Sequence, residues 1–310
     1  MTPIGASAPG KALLCGEYAV LEGAPAVVSA VNRRVSVAWS DQDLPMPPEV
    51  AATLEVARRE CGDTPRSMTV DVSALQVDRV KLGLGSSAAA AAATAGAVFA
   101  SHGHDLEDPT TRQRVFQCAT KGHASIAPDG SGVDVAASTL GGFLRFIRAG
   151  ERFEVRAIEP PKELVIRLVW TGQAARTSVL LDEVRHFRDR DPKEYRRQME
   201  TLSALCVRFA DDFERGRAAE VLTSAAAYAD AMRTLGESAG APIVDARLGH
   251  VGELAARFSG SAKPSGAGGG DVAVAFFADL EAAERFEMAC KDEGLHPIDV
   301  AWGATGVRAC

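Results

Sequence analysis

The spacing of apolar residues along the chain predicts a mixture of strands and helices. Leu164–Trp170 and Asp271–Phe277 are short apolar runs, which predicts buried strands. Glu49–Cys61 and Leu280–Asp292 have apolar residues at helical spacing, which predicts helices that each bury one face. Helical patterns also dominate between residues 178 and 258. Because both halves of the chain mix strands with helices, the pattern favours α/β or α+β layers.

Proline and glycine mark the turns that interrupt the predicted strands. Pro9-Gly10 predicts a turn between a strand at residues 4–8 and another at residues 12–15. Valine-rich segments at 25–31 and 34–39 predict a second pair of strands. The predicted turn at Pro9-Gly10 depends on the preference of proline and glycine for tight turns.

Pro160-Pro161 is the clearest candidate for a domain boundary. The chain has 310 residues, a length that suits two domains of ordinary size. We therefore predict an N-terminal domain at residues 1–160 and a C-terminal domain at residues 161–310. Apolar residues make up 46% of the chain, an ordinary value for globular proteins. The formal net charge of −7 argues against a nucleic-acid partner.

The cysteines and the N-terminus indicate where the protein works. Six cysteines are scattered along the chain and no pair has Cys-x-x-Cys spacing, which argues against zinc and redox motifs. Most are expected to be small buried residues in a reducing compartment. No signal-peptide pattern and no apolar run long enough to span a bilayer are visible, so we predict a cytoplasmic protein with no membrane partner.

Residues 81–88, Lys-Leu-Gly-Leu-Gly-Ser-Ser-Ala, predict a binding site for a phosphate. Alanine is the best helix former, so the alanine run after Ser86 and Ser87 predicts a helix that begins at these serines. A helix start exposes unpaired N–H groups and partial positive charge, and glycines before it let a bulky anion approach. The alternative is a glycine turn followed by a serine N-cap.

Two further segments favour the phosphate interpretation. Residues 8–20 contain Ala-Pro-Gly-Lys followed by Gly-Glu-Tyr-Ala-Val, and residues 263–271 read Lys-Pro-Ser-Gly-Ala-Gly-Gly-Gly-Asp. The three motifs, in this order, resemble those of the GHMP kinases, a family of small-molecule kinases. The resemblance implies an α+β, two-domain fold: an N-terminal α/β domain with a left-handed β-α-β unit and a C-terminal ferredoxin-like domain. It also implies an active site in the cleft between the domains.

The resemblance implies two catalytic residues, Lys11 and Asp134. In the family, a lysine at the position of Lys11 lies near the transferred phosphate, whereas a solvated surface lysine is the alternative. Asp134 matches the aspartate that faces the acceptor and takes its proton. Asp129 is the rival by composition, although it lies in a Pro-Asp-Gly sequence, where aspartate is common for backbone reasons.

ATP and Mg²⁺ are the cofactors that the resemblance implies. The predicted ATP-binding residues are Lys81, Gly83, Leu84, Gly85, Ser86, Ser87 and Ala88. Several family members hold magnesium with a carboxylate on the helix before the aspartate motif. Here no Asp or Glu occurs between Asp108 and Asp129, and His123 is more often structural than a ligand of this ion. Ser87 is therefore the predicted protein ligand of magnesium, with ATP oxygens and water.

Within the family, the local sequences resemble the phosphomevalonate kinase branch. This implies transfer of a phosphoryl group to 5-phosphomevalonate by a monomer or homodimer; mevalonate kinase is the nearest alternative, and a catalytically inactive ligand sensor is the second. The predicted substrate-binding residues are Tyr18, Ser131, Gly132, Arg176, Ser265, Gly266, Ala267 and Gly268. Cations in or near the motifs that fit a substrate with two anionic groups are Lys11, Lys81, Arg145, Arg176 and Lys263.

Overall fold

The computed structural model describes residues 5–64, 67–150 and 152–310, which form two compact units. The first unit consists of the described residues up to 12, residues 28–144 and residues 301–310. The second consists of residues 13–27 and 145–300. These units interleave along the chain, whereas the sequence-based division into residues 1–160 and 161–310 is contiguous. That division stays a prediction.

Strands and helices alternate through both units. The strands are β1 (Gly5–Cys15), β2 (Ala26–Ser40), β3 (Ser67–Asp71), β4 (Gln76–Val77), β5 (Val80–Lys81), β6 (Phe143–Ala149), β7 (Arg152–Ile158), β8 (Val165–Trp170), β9 (Ser261–Pro264), β10 (Val272–Phe277), β11 (His296–Ile298) and β12 (Arg308–Ala309). The α-helices are α1 (Pro48–Cys61), α2 (Ser86–Ser101), α3 (Pro109–Ala124), α4 (Val133–Leu140), α5 (Thr177–Arg190), α6 (Pro192–Glu214), α7 (Ala218–Ala239), α8 (Ala246–Arg257) and α9 (Leu280–Asp292).

In the first unit, β12, β1 and β2 are successive neighbours in a sheet, β3 pairs with β2, and helix α2 contacts β12. The alanine-rich helix α2 is buried at every position from Ala88 to Ala100 and contacts α1, α3 and α4. Small side chains let the neighbouring helices approach closely. At Gly122 of α3, an added Cβ would lie 2.8 Å from the Thr53 Cβ of α1. The helix that the phosphate motif begins is therefore the core of this unit.

The predicted turn at Pro9-Gly10 is wrong, because β1 runs without interruption through both residues. Gly10 serves a close approach instead: a Cβ there would lie 2.8 Å from the carbonyl oxygen of Leu84. The next residue, Lys11, donates its backbone N–H to that same carbonyl at 2.9 Å. The glycine thus brings β1 against the segment that leads into α2.

The predicted break between strands 25–31 and 34–39 is also wrong, since β2 continues through both segments. The polar residues at the expected break have partners in the C-terminal segment of the same unit. Asn32 exchanges hydrogen bonds with the backbone of Ala301, at 2.8 and 3.1 Å. Arg34 donates to the carbonyls of Thr305 and Gly306, each at 2.8 Å. These long-range contacts replace the turn that local composition predicts.

The second unit contains a four-stranded antiparallel sheet with the order β11-β8-β10-β9. In chain order these are the fourth, first, third and second strands, with helices α5 to α8 and α9 in the connections, which is a ferredoxin-like arrangement. Val169 and Phe277 of the sheet share a core with Leu254 of α8 and Phe286 of α9. Among the described residues, no helix has the length and apolar character needed to cross a membrane.

Candidate active site

Helix α2 begins with backbone N–H groups that have no side-chain cap. Its N-cap is Gly85, whose φ of 76° lies in the left-handed region that favours glycine. The first intrahelical hydrogen bond is donated by Ala89 to the Gly85 carbonyl, so the N–H groups of Ser86, Ser87 and Ala88 precede it. By contrast, α3, α6, α8 and α9 each begin with an aspartate that accepts a backbone N–H. The start of α2 is therefore open to an external anion.

Lys11 lies against this helix start. Its side chain passes Gly85 so closely that a Cβ on the glycine would lie 3.0 Å from Lys11 Cγ and 3.1 Å from Lys11 Cε. Leu84 is buried and holds the lysine backbone through its carbonyl. Only 6% of the Lys11 side chain is exposed, which argues against an ordinary surface lysine. The absence of a side chain at Gly85 thus makes room for Lys11.

Asp134, in the first turn of α4, is the carboxylate that faces Lys11. Its Oδ1 lies 3.5 Å from Lys11 Nζ, and 39% of its side chain is exposed. The N-cap of α4 is Gly132, with φ at 86°, and the Ser131 hydroxyl accepts the N–H of Val133 at 3.3 Å. The rival Asp129 is exposed and lies in the preceding turn. The structure therefore favours Asp134, while the catalytic roles of Lys11 and Asp134 stay predictions.

Ser87 contacts the histidine that the sequence offers in place of an acidic metal ligand. Ser87 Oγ lies 3.1 Å from His123 Nε2, on α3. With the ring proton on Nδ1, the serine hydroxyl donates to Nε2 and keeps both oxygen lone pairs for a cation. No group of three or more His, Cys, Asp or Glu side chains suited to a metal ion occurs within residues 5–64, 67–150 and 152–310. This donor set fits a magnesium ion whose other ligands come from ATP and water.

In the second unit, the glycine motif forms a tight loop at residues 265–270. Gly266, Gly268, Gly269 and Gly270 all have φ between 68° and 128°. At Gly268 an added Cβ would overlap the backbone of Ile243, so only glycine fits. The backbone N–H groups of Ala267 and Gly268 have no acceptor in the part of the chain that the structure describes. Such paired N–H groups are suited to an anion.

Tyr18 is attached to this loop. Its hydroxyl donates to the Ala267 carbonyl at 2.6 Å, and burial raises its pKa, so the phenol stays protonated. Ser265 is buried, and its hydroxyl accepts the Leu13 N–H at 2.9 Å. Arg176 is exposed directly before α5, and its guanidinium has no hydrogen-bond or ion-pair partner among the described residues. The second unit thus brings Tyr18, Ser265 and Ala267 together, and their substrate contacts stay predictions.

Two of the five cations considered for anion binding are already paired within the second unit. Lys263 is fully buried and bonded to Glu17, which sequence reasoning missed because the two residues are 246 positions apart. Arg145 is the second paired cation. Burial disfavours the charged form of Arg145, but hydrogen bonds to Asp211 and Glu214 hold its pKa above the ordinary value. Lys81, on the exposed strand β5, remains available.

Comparison with known proteins identifies this arrangement of motifs. Residues 49–142 match the family described as GHMP kinases N terminal domain. Phosphomevalonate kinase of Streptomyces sp. (strain CL190) is 30% identical over 97% of each chain. Mevalonate kinase of Archaeoglobus fulgidus is 28% identical over 94% of this chain and 98% of its own.

A solved structure confirms the predicted fold. Phosphomevalonate kinase of Streptococcus pneumoniae, in complex with phosphomevalonate and AMPPNP, superposes with a TM-score of 0.82. The match covers 96% of this chain and 99% of the other at 19% identity, which is evidence for the fold alone. The family assignment comes from the Streptomyces relative, which is similar over nearly its whole length. The chain belongs to the GHMP kinase family.

Proposed function

We propose that the protein transfers the γ-phosphoryl group of ATP to the phosphate of 5-phosphomevalonate, giving ADP and 5-diphosphomevalonate. The observation that carries this proposal is the Lys11–Asp134 pair at the uncapped start of α2, where Lys11 Nζ and Asp134 Oδ1 are 3.5 Å apart. The similarity to the Streptomyces phosphomevalonate kinase supports the choice of acceptor. The local sequences at residues 16–20 and 81–87, which resemble the phosphomevalonate kinase branch, support the same choice.

The nucleotide end of the site is formed by residues 81–88. The N–H groups of Ser86, Ser87 and Ala88 would receive the phosphate oxygens, and the exposed Lys81 would add a positive charge. Magnesium, when bound to ATP oxygens and Ser87 Oγ, would neutralise charge on the phosphates. The chain itself contributes binding and orientation, which account for most of the catalysis of phosphoryl transfer.

At the reacting end, Lys11 stabilises charge on the transferred group. An oxygen of the acceptor phosphate forms the new bond to the γ-phosphorus, and the bond from that phosphorus to the bridging oxygen of ADP breaks. A phosphate monoester has its second pKa at about 6, so most of the acceptor at neutral pH has no proton to lose. Asp134 then acts chiefly by holding the Lys11 ammonium in place, rather than as the base that family resemblance suggests.

The second unit offers further groups with the chemistry that an anionic acceptor needs. The free N–H groups of Ala267 and Gly268 suit a phosphate or carboxylate oxygen. Arg176 suits an anionic group because its guanidinium is exposed and unpaired among the described residues. Ser131 and Gly132 lie directly before the helix that carries Asp134. Tyr18 would add its ring to the same contacts.

Mevalonate kinase is the second candidate, and the Asp134 carboxylate is the observation that favours it. A hydroxyl acceptor must lose a proton, and a half-exposed carboxylate beside a lysine can accept one. The two functions are separated by following ³¹P resonances while the purified protein, ATP and magnesium react with 5-phosphomevalonate. The proposal requires ADP and a new diphosphate ester in equal amounts. ADP formation that does not depend on the acceptor contradicts it.

A further inference from the structure

The second unit contains a fully buried ion pair that joins two of the sequence motifs. Lys263 Nζ lies 2.5 Å from Glu17 Oε1, and the two side chains are 0% and 1% exposed. The ammonium also donates to the Pro264 carbonyl at 2.6 Å and lies 5.7 Å from the centre of the Tyr228 ring. Glu17 belongs to the first motif and Lys263 begins the third.

Stability alone is a poor explanation for this pair. Removing two charges from water costs free energy that their mutual attraction only about offsets, and apolar residues of similar volume are often as stable. The second carboxylate oxygen, Glu17 Oε2, is buried without a hydrogen-bond partner among the described residues, which adds to the cost. A buried ion pair that adds little stability suggests that its role is to hold neighbouring groups in a defined geometry.

The geometry it fixes is that of the glycine loop and of Tyr18. Glu17 Oε1 accepts the backbone N–H of Gly266 at 3.3 Å as well as the Lys263 ammonium. The next residue, Tyr18, has φ at 62°, an unusual conformation for a residue other than glycine, and its hydroxyl donates to Ala267. Two hydrogen bonds thus join the segment 16–18 to the loop 265–268, and Lys263 binds the same Glu17 oxygen that accepts the Gly266 N–H.

A second buried contact holds the backbone of Glu17. The Tyr228 hydroxyl donates to the Glu17 carbonyl at 2.7 Å. Burial, with Cys206, Cys15 and Glu17 close by, raises the pKa of Tyr228 well above its ordinary value, so this hydroxyl remains a donor. A purely apolar core would supply neither this donor nor an acceptor for the Gly266 N–H.

We propose that Glu17 and Lys263 are positioning residues for the acceptor: the ion pair sets Tyr18 and the backbone N–H groups of the 265–268 loop in the geometry that receives an anionic substrate. Neither side chain touches the acceptor, since both are buried. The identity of that acceptor rests on the proposed function, whereas the positioning of the loop does not.

The test replaces both charges together with Glu17→Leu/Lys263→Met, which leaves no unpaired buried charge. We expect the variant to fold and to keep its ATP affinity by calorimetry, because residues 81–88 are unaltered. Misplacement of acceptor groups by about an ångström has large effects on rate, so the KM for 5-phosphomevalonate should rise roughly tenfold to a hundredfold. Hydrogen exchange at Gly266 should accelerate at least about tenfold, since its acceptor is removed.

Tyr228→Phe provides a milder test that leaves the ion pair in place. It removes only the hydroxyl that holds the Glu17 backbone, so the acceptor KM should rise about two- to tenfold, as for the loss of one hydrogen bond. This variant decides the question if the double variant does not fold. The matched control is Asp230→Asn/Arg233→Met, which neutralises an exposed ion pair on α7 and should change neither quantity.

The proposal is overturned if the folded double variant keeps either the acceptor KM or the Gly266 exchange rate within about twofold of wild type. It is equally overturned if only Tyr228→Phe folds and its acceptor KM is unchanged. If the wild-type protein does not phosphorylate 5-phosphomevalonate, the proposed function fails by itself. In that case the positioning role of Glu17 and Lys263 is decided by hydrogen exchange at Gly266 in the double variant, a measurement that needs no substrate.

Discussion

Lys11 Nζ lies 3.5 Å from Asp134 Oδ1, and the lysine side chain is 6% exposed while the aspartate is 39% exposed. The lysine therefore depends on this carboxylate for its charge balance, while the carboxylate remains accessible to a substrate. Gly85 favours the arrangement, because a Cβ there would lie 3.0 Å from Lys11 Cγ and would push the lysine stem aside. The Lys11–Asp134 pair and the uncapped start of α2 are thus built as one structure.

Replacement of Lys11 by methionine tests the role of its charge. Lys11→Met keeps the length of the stem beside Gly85 but removes the ammonium, so we expect turnover to fall roughly 10²- to 10³-fold. ATP affinity should change much less, because the backbone at residues 86–88 is unaltered. Steady-state kinetics and calorimetry measure the two quantities. Lys121→Met, at an exposed position on α3, is the control and should retain normal turnover.

The response to Asp134→Asn depends on the acceptor. With 5-phosphomevalonate no proton must be removed, so the variant should lose roughly tenfold to a hundredfold in turnover through poorer placement of Lys11. With a hydroxyl acceptor the loss of a base costs roughly 10²- to 10⁴-fold. Asp129→Asn is the control, and kcat for each variant is the measurement. If Asp129→Asn is inactive while Asp134→Asn is nearly normal, the assignment to Asp134 is wrong and Asp129 is the functional carboxylate.

Alanine substitutions at two glycines of positive φ distinguish the effect of backbone strain from the effect of steric contact with Lys11. Gly85→Ala and Gly103→Ala both place an alanine at positive φ, which costs about 1–2 kcal/mol of stability. Only at Gly85 does the new Cβ meet Lys11; at Gly103 nothing lies within 4 Å. We expect Gly85→Ala to lower ATP affinity and turnover in the folded protein, and Gly103→Ala to alter neither. Equal activity in the two variants, measured after correction for the folded fraction, would contradict the account.

Alanine substitutions at two helical glycines should have opposite effects on stability, because only one of the glycines is packed against a neighbouring helix. Gly122→Ala would force Cβ against Thr53 and should destabilise the protein by about 1–3 kcal/mol. Gly249→Ala, in α8 with open space around the new methyl group, should be neutral or stabilising by up to about 1 kcal/mol. Urea unfolding of both variants measures the free energies. A stabilised Gly122→Ala would mean that the two helices are packed less tightly than described.

Local sequence patterns predict the parts of the site that depend on neighbours along the chain. The helix beginning at Ser86 and the boundaries of α9 follow from helix propensity and apolar spacing, and both are confirmed. The glycine run at 266–270 likewise forms a tight loop, as its composition suggests. Here the information lies within a few consecutive residues, so it can be read without knowledge of the fold.

Contacts between distant parts of the chain could not be predicted in this way. The sequence favours Lys263 as a cation available to an anion, whereas in the structure it forms a buried ion pair with Glu17. The sequence predicts a turn at Pro9-Gly10, whereas in the structure β1 continues through both residues and Gly10 allows Leu84 to approach closely. In both cases the partner lies tens to hundreds of residues away, and tertiary contacts override the local preference. A charged residue next to buried strand positions, as Lys263 is, was the available indication of an internal partner.

Relative kcat/KM for 5-phosphomevalonate and mevalonate, measured with saturating ATP and magnesium on one preparation, tests the central claim most directly. The proposed function predicts that the phosphorylated acceptor is preferred by at least about a hundredfold, since a site built to pair with a second anion rejects the analogue that lacks it. Lys11→Met should reduce the larger value, which excludes a contaminating kinase. A preference for mevalonate, or equal rates on both acceptors, would contradict the account.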